Sequence, residues 1–256
     1  MTHTSLGIVG ASGRMGKALL EESIKQSDFN LKWAVDIIDM EKNLNKFGLS
    51  DMNIITIDDI EEVDVAISFT TPKAELDNIN KIKKVCNRLV IGTTGFGDEE
   101  REFRDSLTDM KVVFSPNFSI GINMITNMLG MISSLPDSYD VSLIEMHHTG
   151  KKDAPSGTAK KLADVIKDAK DYNKEIYGRN GVSLRERNEL EIAALRAGGI
   201  PGIHEVVIAG EKEMIRIGHT AFSRNVFAEG ALFAAKWLMN QDKNGIYDMS
   251  DVLGLR

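Results

Sequence analysis

Residues 145 to 158 read Glu-Met-His-His-Thr-Gly-Lys-Lys-Asp-Ala-Pro-Ser-Gly-Thr, which gathers two adjacent histidines, two lysines and a serine-glycine helix start in one stretch. Titratable side chains beside open backbone amides suit the binding of a small anion and the transfer of a proton to it. If the chain is extended through His147 and His148, their side chains leave on opposite faces, so that one faces a substrate while the other packs. Lys151 follows closely enough to turn back toward a carboxylate. Ser156 or Thr158 can cap the helix that begins after Pro155, and Gly157 leaves its first amides open to a carboxylate or a phosphate. Neighbouring histidines aim poorly at a single ion and no cysteine is near, so no metal site is expected.

A second group of residues suits a nucleotide. Gly10, Ala11, Ser12, Gly13, Arg14, Met15 and Gly16 lie between an apolar run at 6–9 and a helix-like segment. Gly10 permits a tight exit from a strand, Gly13 lets a diphosphate approach main-chain amides, and Gly16 lets the helix sit close to the sheet. The spacing is Gly-x-x-Gly-x-x-Gly, a departure from the usual Gly-x-Gly-x-x-Gly. Asp36 ends the next strand, where its carboxylate suits ribose hydroxyls and favours NAD, because a 2'-phosphate would meet a like charge. Arg14 and Lys42 offset that repulsion if they approach the same pocket, which keeps NADP open; the competing reading makes Asp36 and Asp39 plain solvated charges. Phe69-Thr70-Thr71-Pro72 and Gly92-Thr93-Thr94-Gly95-Phe96 follow two further buried runs, where turns line a cofactor crevice and their hydroxyls and amides suit a ribose or a carboxamide. Pro72 and Gly95 also suffice to shape such turns without a ligand.

Apolar periodicity supplies the scaffold. Strands are expected at 6–9, 31–35, 63–68, 89–91 and 112–114, with helices at 14–27, 73–85 and 98–109 between them, which implies a mostly parallel sheet with right-handed crossovers. Residues 40–57 are less regular and read as a loop followed by a short strand at 53–57. Beyond Pro116 the pattern changes. A long helix is expected over 118–135, with Ile122, Ile125, Met128, Leu129 and Ile132 as its apolar stripe. A strand at 139–146, a helix at 158–168 and strands at 190–196, 204–210 and 213–219 then build an antiparallel or mixed sheet. A helix at 225–238 precedes a turn-rich tail at 240–256. The expected domains are 1–117 plus 227–256 for the dinucleotide and 118–226 for substrate and assembly. Because cofactor and substrate come from different domains, domain closure is expected.

The 256 residues suffice for two modest domains or one large one. A net charge of -7 argues against a broadly basic nucleic-acid surface. Cys86 is the only cysteine, so neither an intrachain disulfide nor a multi-cysteine metal site is expected, which is compatible with a reducing compartment. The first residues lack the basic head and apolar stretch of a secretory signal, and no apolar run approaches the roughly 20 residues of a membrane span. A soluble cytoplasmic protein with neither nucleic-acid nor membrane partners is expected.

Six motifs resemble the 4-hydroxy-tetrahydrodipicolinate reductase family, formerly called dihydrodipicolinate reductase, over almost the whole chain: GASGRMG at 10–16, FTTP at 69–72, GTTGF at 92–96, SPNFSIGIN at 115–123, EMHHTGKKDAPSGTA at 145–159 and SRNVFAEGA at 223–231. The resemblance implies an α/β fold, with a Rossmann-like mostly parallel sheet domain and a second α+β substrate and oligomerisation domain whose sheet builds a homotetramer. It implies reduction, by NADH or NADPH, of a small cyclic dicarboxylate formed from aspartate semialdehyde and pyruvate in lysine and diaminopimelate biosynthesis. On the matching positions it makes His147 and Lys151 catalytic, with Lys151 the favoured proton donor and His147 an acid or orienting group. His148, Ser156, Gly157 and Thr158 then bind the substrate carboxylates. The cofactor falls to residues 10–16, Asp36, Phe69, Gly92, Thr93, Thr94, Ser115, Pro116, Asn117, Phe118 and Arg224, although an arginine before an amphipathic helix is often only surface charge. Ser68 stands where many members carry aspartate, a change expected to alter the strand-end hydrogen bonds. Two other classes compete: a related two-domain NAD(P)-dependent dehydrogenase acting on another amino-acid intermediate, and a nucleotide sensor, which would leave the His-His-Lys block without a purpose.

Overall fold

The computed structural model describes residues 3–37 and 43–255, so Asp39 and Lys42 lie outside the described residues. The chain forms two compact units, Met1–Ile120 with Arg224–Arg256, and Gly121–Ser223. The first begins with β1 (Thr4–Val9), α1 (Arg14–Lys25) and β2 (Phe29–Val35). Gly7 lets the Trp33 ring lie across β1, since a Cβ there would come within 2.2 Å of that ring. Next come β3 (Asn43–Leu44), a 3-10 turn and β4 (Leu49–Ile55). β4 starts before the expected 53–57 strand because Gly48, at φ 76°, closes the turn and folds β4 back antiparallel on β3. β5 (Val65–Ser68), α2 (Pro72–Val85), β6 (Arg88–Ile91), α3 (Glu100–Asp105) and β7 (Lys111–Phe114) follow. α3 is shorter than the expected 98–109 helix: Leu107 and Met110 bury themselves through tight i to i+3 turns, with N to O distances of 2.9 and 3.0 Å.

The second unit takes most of α4 (Ile120–Gly130), which ends in a 3-10 turn at Met131–Ser134. Ile122, Ile125, Leu129 and Ile132 are buried as expected, but Met128 is 45% exposed. Six residues beyond Ile122 it points well away from that face. Then come β8 (Asp140–His147), α5 (Gly157–Lys170), β9 (Lys174–Tyr177), β10 (Glu189–Arg196), β11 (Ile203–Ala209) and β12 (Met214–Thr220). Their order is β12-β11-β8-β10-β9, antiparallel across the first two pairings and parallel across the last two, hence a mixed sheet. The edge strand β9 was not expected, because its Lys-Glu-Ile-Tyr sequence carries no apolar alternation. Leu162, Ala163 and Ile166 of α5 share a core with Val141, Leu143, Ile192 and Val206 of the sheet.

The chain then returns through α6 (Asn225–Met239), β13 (Gly245–Tyr247) and α7 (Met249–Val252). Residues 240–256 are therefore more than a turn-rich tail. β13 pairs parallel with β7, and Met249 and Val252 are buried in the first unit's core. A three-residue strand is too short to leave a periodic signal. The completed sheet runs β13-β7-β6-β5-β1-β2-β4-β3, with seven parallel strands and β3 reversed. α6 packs so closely on the turn after β7 that a Cβ at Gly230 would lie 1.8 Å from the Phe118 carbonyl oxygen. Among the described residues no helix is long and apolar enough to cross a membrane.

Candidate active site

In the first unit, strands β2, β1, β5, β6 and β7 run parallel and end at one edge of the sheet, where most of the expected nucleotide residues follow them. Gly10 has φ 84°, and a Cβ there would lie 2.3 Å from the Phe69 carbonyl oxygen. At Gly16 a Cβ would come within 2.1 Å of the Gly10 oxygen and 2.6 Å of Ala11 Cα, so its close packing is against the glycine turn itself. The Gly10 and Ala11 amides donate to the Val35 oxygen, at 2.9 and 3.0 Å, and Gly13 donates to Gly10 at 3.0 Å. Ser12 donates its amide to Asp36 Oδ2 at 2.8 Å. These four amides are engaged within the fold, whereas the first-turn amides of α1, Arg14 to Gly16, are ones that a helix start leaves without intrahelical partners. Asp36 also accepts the Ile37 amide at 2.7 Å, and so ties the end of β2 to the glycine turn.

The turns after β5, β6 and β7 interlock. A Cβ at Gly92 would lie 2.0 Å from the Phe69 ring, whose centroid is 5.6 Å from that of Phe118. Ser115 donates to the Asn117 carbonyl at 2.9 Å and Asn117 Oδ1 accepts the Ser119 amide at 2.8 Å, which fixes the turn through Pro116. Thr94 is exposed, whereas Thr93 is buried and donates its hydroxyl to Glu75 at 2.5 Å. Ser68 donates to the same Glu75 oxygen at 2.6 Å, which is where its strand-end hydrogen bond goes. Arg224 is exposed at the start of α6.

The second unit gathers the other group around one carboxylate. Glu145 and His147 share a face of β8, and Glu145 is fully buried. It accepts a two-pronged contact from Arg196, 2.8 Å to Oε1 and 3.0 Å to Oε2, together with the Ser156 amide at 3.1 Å and His147 Nδ1 at 2.5 Å. Burial alone would raise the Glu145 carboxyl, but the hydrogen bonds from Arg196, His147 and Ser156 outweigh it and hold the group below the ordinary carboxylate range. Burial pushes His147 below its usual value despite the opposing pull of Glu145, and the charges of Lys151 and Arg196 add to the lowering. His147 is therefore neutral near pH 7. Its Nδ1–H faces an acceptor-only carboxylate, and Nε2 carries the lone pair. His148 is half-buried on the opposite side, as strand alternation requires.

The loop beyond β8 is anchored. Ala197 donates its amide to the His147 oxygen at 2.9 Å, and Thr149 donates to Gly198 at 3.2 Å. Lys151 Nζ pairs with Asp153 at 2.8 Å. Ser156 caps α5 by accepting the Ala159 amide at 3.2 Å, and its hydroxyl lies 3.0 Å from His204 Nε2. Burial drives His204 down to about 4, so it is neutral as well. His147, Lys151, Ser156, Gly157 and Thr158 thus lie along the stretch where β8 ends and α5 begins, with the Ser156 hydroxyl engaged inside the fold and the Gly157 and Thr158 amides in the first turn of the helix. Glu145, Arg196 and His204 were not assigned from sequence. Strand period two puts Glu145 on the His147 face and could have found it; Arg196 and His204 reach the site only through sheet pairing.

Comparison with known proteins places the whole chain in one family. The family described as "Dihydrodipicolinate reductase, N-terminus" matches residues 4–118, and "Dihydrodipicolinate reductase, C-terminus" matches 121–253. Proteins named 4-hydroxy-tetrahydrodipicolinate reductase are similar along nearly their full length: one from Methanococcoides burtonii is 40% identical over 97% of this chain and 98% of its own. One from Hahella chejuensis is 40% identical over 99% and 100%. A solved dipicolinate-bound dihydrodipicolinate reductase from Paenisporosarcina sp. TG-14 shares the fold at a TM-score of 0.77 and 24% identity, covering 98% of this chain and 99% of that one. An apo scyllo-inositol dehydrogenase from Lactobacillus casei shares it more distantly, at a TM-score of 0.59 and 15% identity, covering 99% and 93%. With both halves matched in order and such relatives spanning nearly the whole length, the chain belongs to the dihydrodipicolinate reductase family.

Proposed function

We propose that the chain reduces 4-hydroxy-tetrahydrodipicolinate to tetrahydrodipicolinate, with loss of water, in lysine and diaminopimelate biosynthesis. The observation that carries this reading is the buried Glu145 carboxylate, which ties Arg196, His147 and the capped start of α5 together beside Lys151. Ser156, Gly157 and Thr158, with His148, grip the two carboxylates of the substrate. Lys151 donates the proton as negative charge develops on the reduced ring. Burial lowers His147 and its Nδ1 is tied to Glu145, so its Nε2 is the ring atom placed to orient substrate or Lys151.

The glycine turn fits a dinucleotide: side chains at Gly10 or Gly16 would collide with backbone, and the first amides of α1 are open to a diphosphate. NADH or NADPH, when bound, supplies the hydride delivered to substrate C4. Asp36 faces the adenosine ribose and favours NADH. Phe69, Gly92, Thr93, Thr94, Ser115, Pro116, Asn117 and Phe118 form the rest of the seat, with Arg224 contributing charge. That the Paenisporosarcina relative is dipicolinate-bound supports a small diacid as ligand. We assign the protein to the cytoplasm as a homotetramer; the exposed Met214 and Ile215 on strand β12 support association through the mixed sheet. A dehydrogenase acting on another amino-acid intermediate is not favoured, because both family halves match. The test is a coupled assay with aspartate semialdehyde, pyruvate and the upstream synthase, run with each reduced nucleotide. Oxidation of neither nucleotide in the complete mixture would overturn the reading.

A further inference from the structure

Glu75 occupies the first core-facing position of α2, ahead of Ile79 and Ile82 on the same stripe, and is 1% exposed. Taking a carboxylate out of water there is costly unless polar partners receive it. Three hydroxyls converge on its Oε1: Ser68 at 2.6 Å, Thr70 at 2.8 Å and Thr93 at 2.5 Å. Its Oε2 is buried and, among the described residues, has no hydrogen-bond partner. An unpaired buried oxygen destabilises the fold. The hydrogen bonding of the buried carboxylate is therefore concentrated on Oε1.

A carboxylate oxygen accepts and never donates, so each hydroxyl proton is drawn inward. The other contacts open to the Thr70 hydroxyl, Thr71 O and Thr93 Oγ1, are both 3.4 Å away and too long to compete. Thr93 Oγ1 additionally accepts the Thr70 amide at 2.8 Å, which fixes the turn. Thr70, half-buried just past the end of β5, therefore has only lone pairs left for a further partner. In the sheet, β2 with Asp36 and β1 with the glycine turn are followed by β5 and β6. A dinucleotide with its adenosine ribose at Asp36 and its diphosphate at α1 lays its other half over the ends of β5 and β6. That half carries ribose hydroxyls and a carboxamide N–H, all donors.

We infer that Glu75 is a positioning residue that polarises Thr70 into a hydrogen-bond acceptor for a hydroxyl or amide donor of the nicotinamide nucleoside. The inference rests on the nucleotide reading above. Titration calorimetry of the full chain with NADH and, separately, with ADP tests both. In Glu75→Gln the charge is lost and the acceptor is weaker, so the Thr70 hydroxyl proton is drawn inward less strongly; in Thr70→Val the acceptor is gone and the shape is kept. Each variant should bind NADH about tenfold more weakly, the size of one ligand hydrogen bond, with ADP affinity unchanged. Equal weakening of ADP and NADH in Glu75→Gln would make the role purely structural and overturn the inference. Unchanged NADH affinity in Thr70→Val would overturn it too, and that variant decides the matter if Glu75→Gln does not fold. Wild-type protein that binds neither nucleotide would instead remove the nucleotide reading, and this inference with it.

Discussion

Lys151 and His147 stand four residues apart, yet different surroundings govern their protons. His147 is tied to a buried carboxylate and is kept neutral by burial, while Lys151 pairs with Asp153 near the surface. Lys151→Ala is accordingly expected to lower kcat by about a hundredfold or more, the usual share of a positioned proton donor, with NADH affinity unchanged in a fluorescence titration. Near-normal turnover in that variant would remove Lys151 from the chemistry. Asp36 holds the Ser12 amide, and in the proposed reading it also faces the adenosine ribose. Asp36→Asn keeps one acceptor for that amide while removing the charge, so NADH should weaken more than NADPH when both are measured by kcat/KM.

Helix starts and strand ends position the groups proposed to bind. Ser156 caps α5 and also places its hydroxyl beside His204. Ser156→Ala should cost about 1 kcal/mol of unfolding free energy, as the loss of a helix cap does, and should also raise the Kd for pyridine-2,6-dicarboxylate. A variant that lost stability while binding the diacid as before would confine Ser156 to capping. The C-terminal segment makes a different case. Met249 and Val252 are buried and β13 pairs with β7, so removing residues 245–255 should destabilise the first unit by roughly 3–6 kcal/mol, about the worth of two buried apolar side chains. A denaturant melt unchanged by that deletion would contradict the buried positions of both residues.

Acid should unfold the protein through groups clustered in the second unit. His204 has a folded value of about 4, below the 6.5 of the free side chain, so the unfolded chain takes up the proton more readily between those values. Its contribution is full above pH 6.5 and is lost as pH falls toward 4, a loss on the order of 3 kcal/mol. His147, also lowered, acts in the same direction. Glu145, a lowered carboxyl, contributes above its ordinary 4.5 and loses that contribution as pH falls further. Urea midpoints measured from pH 7 to pH 4 should therefore fall steadily, and His204→Gln should flatten the slope between pH 6.5 and 4. An unaltered slope in that variant would mean that His204 is not held neutral by burial.

Much of this was legible in the order of residues, because local chemistry is written locally. Gly10 to Gly16, the strand and helix periods and the block from Glu145 to Thr158 depend on spacing that backbone geometry fixes within a few residues. Tertiary packing assigned what spacing cannot: Arg196 to Glu145, His204 to Ser156, Ser68 and Thr93 to Glu75, and β13 to β7. Partners dozens of residues apart leave no mark on local periodicity, and the charge or neutrality of a buried group depends on which partners burial brings to it.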